Sequence, residues 1–119
     1  MKAILEIASN AQMHRRALET ARNLTATGAR AADLHIGFES AAQLFSELSA
    51  ERLRTLETLR REGTQSIYAL AKTLGRNYSN VHGDISRLIA LDLVERDGNG
   101  VRVPFDELEI HVPLLAQAA

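Results

Sequence analysis

Between Arg76 and Arg87 the chain gathers side chains suited to holding a polyanion: Arg76, Asn77, Tyr78, Ser79, Asn80, Gly83, Ser86 and Arg87. Arginine can donate two parallel hydrogen bonds to a guanine edge, and asparagine can pair bidentately with adenine. Serine hydroxyls suit phosphate oxygens. If residues 77–91 form a helix turning about 100° per residue, Val81, Ile85, Leu88 and Ile89 cluster on one side. The opposite side then presents Arg76, Ser79, Asn80, Gly83, Ser86 and Arg87, with no acid among them. The start of such a helix adds free amides and the positive end of its dipole. Gly83, at the centre of this face, lets the helix lie close to a ligand, and costs about 1 kcal/mol of helix stability against Ala. Ser66, at the start of the preceding short helix, and Arg102 complete the candidate contacts. Tyr78 stands between the two faces, open to a phosphate contact or to packing. Arg102 is open to a backbone contact or to neutralisation by Asp92, Glu95 and Asp97.

Other chemistries lack their residues. Cysteine is absent, which excludes disulfides, thiolate metal sites and thiol nucleophiles. The four histidines, His14, His35, His82 and His111, are dispersed without metal-ligand spacing. Asp92, Glu95, Asp97, Asp106, Glu107 and Glu109 have no nucleophile or glycine-rich phosphate loop beside them and read as a solvated surface. The expectation is therefore a protein that is not an enzyme, with no catalytic residue, metal or cofactor.

The elements that must position the 76–87 face can be read from periodicity. Ser49 caps a helix over 50–62 with Leu53, Leu56 and Leu59 inward, ended by Gly63. Ser66 caps a second, short helix whose Ile67, Leu70, Ala71 and Leu74 form one buried stripe, and Gly75 breaks it. The third helix follows at about 77–91. Leu93-Val94-Glu95-Arg96 reads as a strand, Asp97-Gly98-Asn99-Gly100 as a tight turn, and Val101-Arg102-Val103 as the return strand, stopped by Pro104. Upstream, residues 2–8 and 33–38 have strand patterns. They flank a helix that begins near Asn10, carries Met13, Ala17, Ala21 and Leu24 inward, and closes at Gly28. Ser40 caps a short helix with Ala41, Leu44, Phe45 and Leu48 on one face, and residues 107–112 form a further strand before an apolar tail.

With 119 residues, the chain falls in the range of one domain. A 45% hydrophobic and 24% charged composition excludes disorder throughout. Aromatics are only 4%, so the core must be aliphatic. A net charge of −1 argues against a basic coat protein for nucleic acid, but leaves room for a local basic face. No apolar run approaches the roughly 18 residues of a membrane span, and Glu6 falls where a signal peptide needs apolar residues. A cytoplasmic protein without membrane contact is expected.

Two short helices joined by a tight turn, preceded by a helix and followed by a hairpin, are the order of a winged helix-turn-helix, whose second short helix enters a major groove while the hairpin serves as the wing. The chain resembles a family of small prokaryotic winged-helix proteins described as DNA-binding transcriptional regulators, MarR-like, some of them similar to antitoxins. The resemblance rests on Ser66-Ile67 with Leu70-Ala71, Leu74-Gly75-Arg76, Asn80-Val81-His82, Asp84, Leu93-Val94-Glu95 and Val103-Pro104-Phe105-Asp106. It covers about residues 48–114, with FESAAQLFSEL as a matching lead-in. Gly83 stands where that family usually has a basic residue. The resemblance implies binding of double-stranded DNA and dimerisation.

The expected fold is thus α+β and mainly helical: a winged helix-turn-helix over 49–104, an N-terminal β-α-β extension over 1–48, and a C-terminal strand and tail over 105–119. The extension either makes a homodimer or covers the helices within one chain. The expected function is sequence-specific DNA binding by a homodimeric regulator, with the third helix in the major groove and the 94–103 hairpin as wing. The alternative is an antitoxin-type module that neutralises a partner toxin, with DNA binding secondary.

Overall fold

In a computed structural model the described residues are 1–8, 15, 18–19 and 33–115. Among them the fold is α+β, with the elements β1 (Lys2–Ile7), β2 (Leu34–Phe38), α1 (Ala41–Glu47), α2 (Ala50–Glu62), α3 (Ile67–Leu74), α4 (Tyr78–Ala90), β3 (Glu95–Asp97), β4 (Gly100–Arg102) and β5 (Glu107–His111). Apart from Arg15, Leu18 and Glu19, the helix expected between Asn10 and Gly28 lies outside the described residues. No helix among the described residues is long and apolar enough to cross a membrane.

The chain forms two compact units. The first combines the two ends of the chain, up to Ser46 and from Phe105 onward. Its sheet has the order β2-β1-β5, with both pairings parallel. β1 is central, and its Ala3 and Leu5 are fully buried on one face of the sheet. Residues opposite one another share a face, so Lys2, Ile4 and Glu6 lie with His35, Glu107, Glu109 and His111. Charges pair across this face. Lys2 Nζ lies 2.7 Å from Glu109 Oε1, His111 Nε2 lies 3.2 Å from Glu109 Oε2, and His35 Nδ1 lies 3.1 Å from Glu6 Oε1. The hydrogen bond from Lys2 holds the Glu109 carboxyl below its ordinary value, and Glu109 raises Lys2 in return.

In α1, Ser40 Oγ accepts from Gln43 N–H at 3.1 Å, as a cap should. Leu44 is buried, but Phe45 is 53% exposed and does not share its face. At about 100° per residue Ala41, Leu44 and Leu48 fall within about 60°, and Phe45 lies about 40° beyond that arc, a full step from Leu44.

The second unit, Glu47–Pro104, holds α2, α3, α4 and the β3–β4 hairpin. Its core is aliphatic: Leu48, Leu56, Leu59, Leu70, Ala71, Leu74, Val81, Ile85, Leu88, Leu93, Val94, Val101 and Val103 are all buried. α3 packs on both α2 and α4. Leu93 and Val94 are buried but belong to no ladder. Their N–H groups reach back to Leu88 O at 2.9 and 3.3 Å and close α4. The strand expected from Leu93 therefore starts two residues later, at Glu95.

Candidate nucleic-acid interface

The turn between α3 and α4 is built by three small features. Gly75 adopts φ 64 and ψ 33, the left-handed region. Its N–H bonds Lys72 O at 3.1 Å, and Arg76 N–H bonds Ala71 O at 3.1 Å. This pair of bonds closes a helix on a glycine. Asn77 then starts α4, its Oδ1 accepting from Ser79 N–H at 2.8 Å. At the front of α3, Ser66 Oγ accepts from Ala69 N–H at 3.1 Å. Ser66 and Asn77 are both exposed caps, so their oxygens already serve the main chain.

From this turn α4 buries Val81, Ile85 and Leu88 and exposes Tyr78, Ser79, Asn80, His82, Gly83, Ser86 and Arg87. Nothing lies within 4 Å of the point where a Gly83 Cβ would sit. Tyr78 is 49% exposed, and its ring stands 5.9 Å from that of His82.

Arg76 is not on that face. Its side chain is only 22% exposed, with Nη1 2.9 Å from Asp84 Oδ2 and Nε 3.5 Å from Glu51 Oε2. The wheel of α4 could not place it, because Arg76 precedes the cap and follows the turn instead of the helix period. Asp84 also accepts from Arg52 Nε at 3.1 Å. Arg52 Nη1 donates to Glu47 O at 2.8 Å and lies 3.4 Å from Glu47 Oε2. Glu47 in turn receives Arg87, Nε to Oε2 at 2.6 Å and Nη2 to Oε1 at 2.5 Å. A continuous chain of alternating charge, Arg76–Asp84–Arg52–Glu47–Arg87, therefore runs along the unit. The Arg87 hydrogen bond holds the Glu47 carboxyl below its ordinary 4.5, against the opposing effect of burial.

Beside the helices stands the hairpin. Asp97 pairs with Gly100, so Gly98 and Asn99 form a two-residue loop, with Gly98 at φ 60. A positive φ at the first loop position suits the right-handed twist of the strands. Arg102 faces Glu95 across the ladder, with Nε 2.7 Å from Oε1, so neutralisation describes it in this structure. The hairpin is also tied to the segment before α3. Val101 N–H bonds Gln65 O at 2.9 Å, Gln65 N–H bonds Val101 O at 3.3 Å, and Thr64 Oγ1 donates to Asp97 Oδ2 at 3.0 Å. Sequence reasoning missed this third strand position, since a single bridged residue leaves no periodicity.

It also did not set Tyr68 beside Lys72. Tyr68 is 60% exposed, and Lys72 Nζ lies 4.8 Å from its ring centroid. The signal was present: both fall off the Ile67, Leu70, Ala71 and Leu74 stripe. Among the described residues no group of three or more acids and histidines is placed to hold a metal ion.

The family model HVO_A0114 matches residues 47–110, just over half of the 119-residue chain, and the chain belongs to that family. No curated protein and no solved structure matches it.

Proposed function

We propose that this member of the HVO_A0114 family is a sequence-specific, double-stranded-DNA-binding transcriptional regulator of winged helix-turn-helix type, MarR-like in organisation and acting as a homodimer. The carrying observation is the exposed polar face of α4 behind a glycine-closed turn, with the β3–β4 hairpin locked beside α3 through Gln65 and Val101. An α-helix fits a major groove. In this reading Asn80 meets base edges, Ser79 and the Tyr78 hydroxyl meet phosphates, and Gly83 permits close approach. Lys72 supplies charge, Arg87 does so once it leaves Glu47, and Arg76 positions α4 through Asp84. A homodimer presents two such faces to half-sites about 34–36 Å apart.

The test is fluorescence anisotropy on DNA from upstream of the protein's own gene, beside a scrambled duplex, across a salt series. Tighter binding to the native duplex that weakens with salt supports the reading. Equal, negligible binding to both counts against it.

One observation favours a second reading. Arg76, Arg87 and Arg102 are all paired with acids, which leaves an interface of Lys72, tyrosines and short polar groups. Exposed tyrosines also suit a protein partner. An antitoxin-type module binding a toxin through Tyr68 and Tyr78 would copurify with that toxin when coexpressed with the neighbouring gene.

A further inference from the structure

β5 forms one edge of its sheet and has no outer partner strand among the described residues. An open edge of main-chain N–H and C=O groups is a template for another strand. We infer that β5 pairs antiparallel with β5 of a second copy, about a two-fold axis through Ile110, which joins two three-stranded sheets into one of six. The inference rests on the homodimer proposed above but not on DNA binding.

The strand's own pattern selects the second copy and the register. Along β5 and the residue after it, Leu108, Ile110 and Val112 alternate with Glu107, Glu109 and His111, and the three apolar side chains are half-buried. Self-pairing must keep each face together, so the axis can sit only on a residue, and neighbouring choices differ by two positions in pairing. With the axis at Ile110, Glu109 stands opposite His111 of the other copy on both sides, and Leu108 stands opposite Val112. With the axis at Glu109, the two Glu109 side chains oppose each other. With the axis at Leu108, Glu107 opposes Glu109 twice. An axis at His111 sets two histidines together and Glu109 against Pro113; like charges directly opposite are destabilising, so the charges choose Ile110. Pro113 follows, has no N–H, and ends the ladder. Just beyond it Leu114 and Leu115 are 94% and 85% exposed, an apolar pair that a second copy can cover.

The opposite edge, β2, lacks this complementarity. Gly37 weakens the strand interior. Pairing about Ile36 sets His35 against Gly37, and pairing about His35 sets two histidines together.

The absence of cysteine makes the test direct. Ile110→Cys and Ile36→Cys are made separately in the full chain, checked for folding by circular dichroism, sized by sedimentation and oxidised mildly. Opposed residues of an antiparallel pair have Cα atoms about 4.5–5.5 Å apart, within disulfide range, so Ile110→Cys should crosslink roughly tenfold or more faster than Ile36→Cys. If Ile110→Cys does not fold, a mixture of Leu108→Cys and Val112→Cys probes the same register and should crosslink between unlike chains. A dimer that crosslinks through Ile36→Cys, or through none of these positions, overturns the β5 edge and leaves the homodimer standing. A chain that sediments as a monomer overturns both.

Discussion

Arg87 grips the Glu47 carboxylate with two parallel hydrogen bonds, at 2.6 and 2.5 Å, although 40 positions separate them in the chain. Arg87 lies on the exposed polar face of α4, so this contact decides how much charge that face offers to a ligand. A paired guanidinium neutralises fewer phosphates than a free one, and the proposed interface is therefore weakly cationic at rest.

Glu47→Gln should release Arg87. The expected result is tighter binding to any duplex, with the slope of log affinity against log salt steeper by up to about 0.9, the worth of one phosphate contact. The same variant has a pH signature. Glu47 is held below its unfolded value near 4.5, so its contribution to stability is fully present above that value and is lost as pH falls through the folded value. Urea midpoints at pH 7 and pH 3 should therefore fall less for Glu47→Gln than for the unaltered protein.

Arg76→Ala should act on stability first. It leaves Asp84 with Arg52, 3.1 Å away, in a site where the Asp84 side chain is only 16% exposed. A loss of about 1 kcal/mol is expected, at the upper end for exposed pairs, read as a lower urea midpoint. The salt slope of binding should hardly move. A changed slope with unchanged stability would return Arg76 to the DNA face.

Gly83→Ala separates folding from recognition. Space is open around the missing Cβ, and replacing a mid-helix glycine by alanine gains about 1 kcal/mol. The melting temperature should rise. If α4 lies close in a groove, affinity for the preferred duplex should fall at the same time.

Gly100→Ala probes the hairpin anchor. A Cβ there would come within 2.8 Å of Gln65 O, a backbone atom that also accepts from Val101 N–H. Relief requires the hairpin to shift, so a loss of about 1–3 kcal/mol is expected, in the range of overpacked sites. Loss of the hairpin's amide protection in hydrogen exchange would locate the damage.

The local elements were readable in the sequence because they are written locally. Caps at Ser49 and Ser66, breaks at Gly63 and Gly75, and the Gly98–Asn99 loop all appear where residue type and spacing put them. What escaped depends on groups far apart in the chain. Glu47 meets Arg87, Gln65 bridges Val101, and β5 returns to pair with β1 after the whole second unit has intervened. No periodicity encodes such contacts. The candidate site was legible as a helix face; what the sequence did not show is that Arg76 turns to Asp84 and that Glu47, from outside the helix, pairs with Arg87.

The central claim is that the exposed face of α4 reads base sequence, and selection from a randomised duplex library tests it most directly, with the unaltered protein beside Asn80→Ala. The account predicts that the unaltered protein enriches a defined site and that the folded Asn80→Ala variant loses discrimination at one position by about 1–3 kcal/mol, the worth of one bidentate base contact. Enrichment of the same site by both proteins, or of none by a folded and dimeric protein, would contradict it.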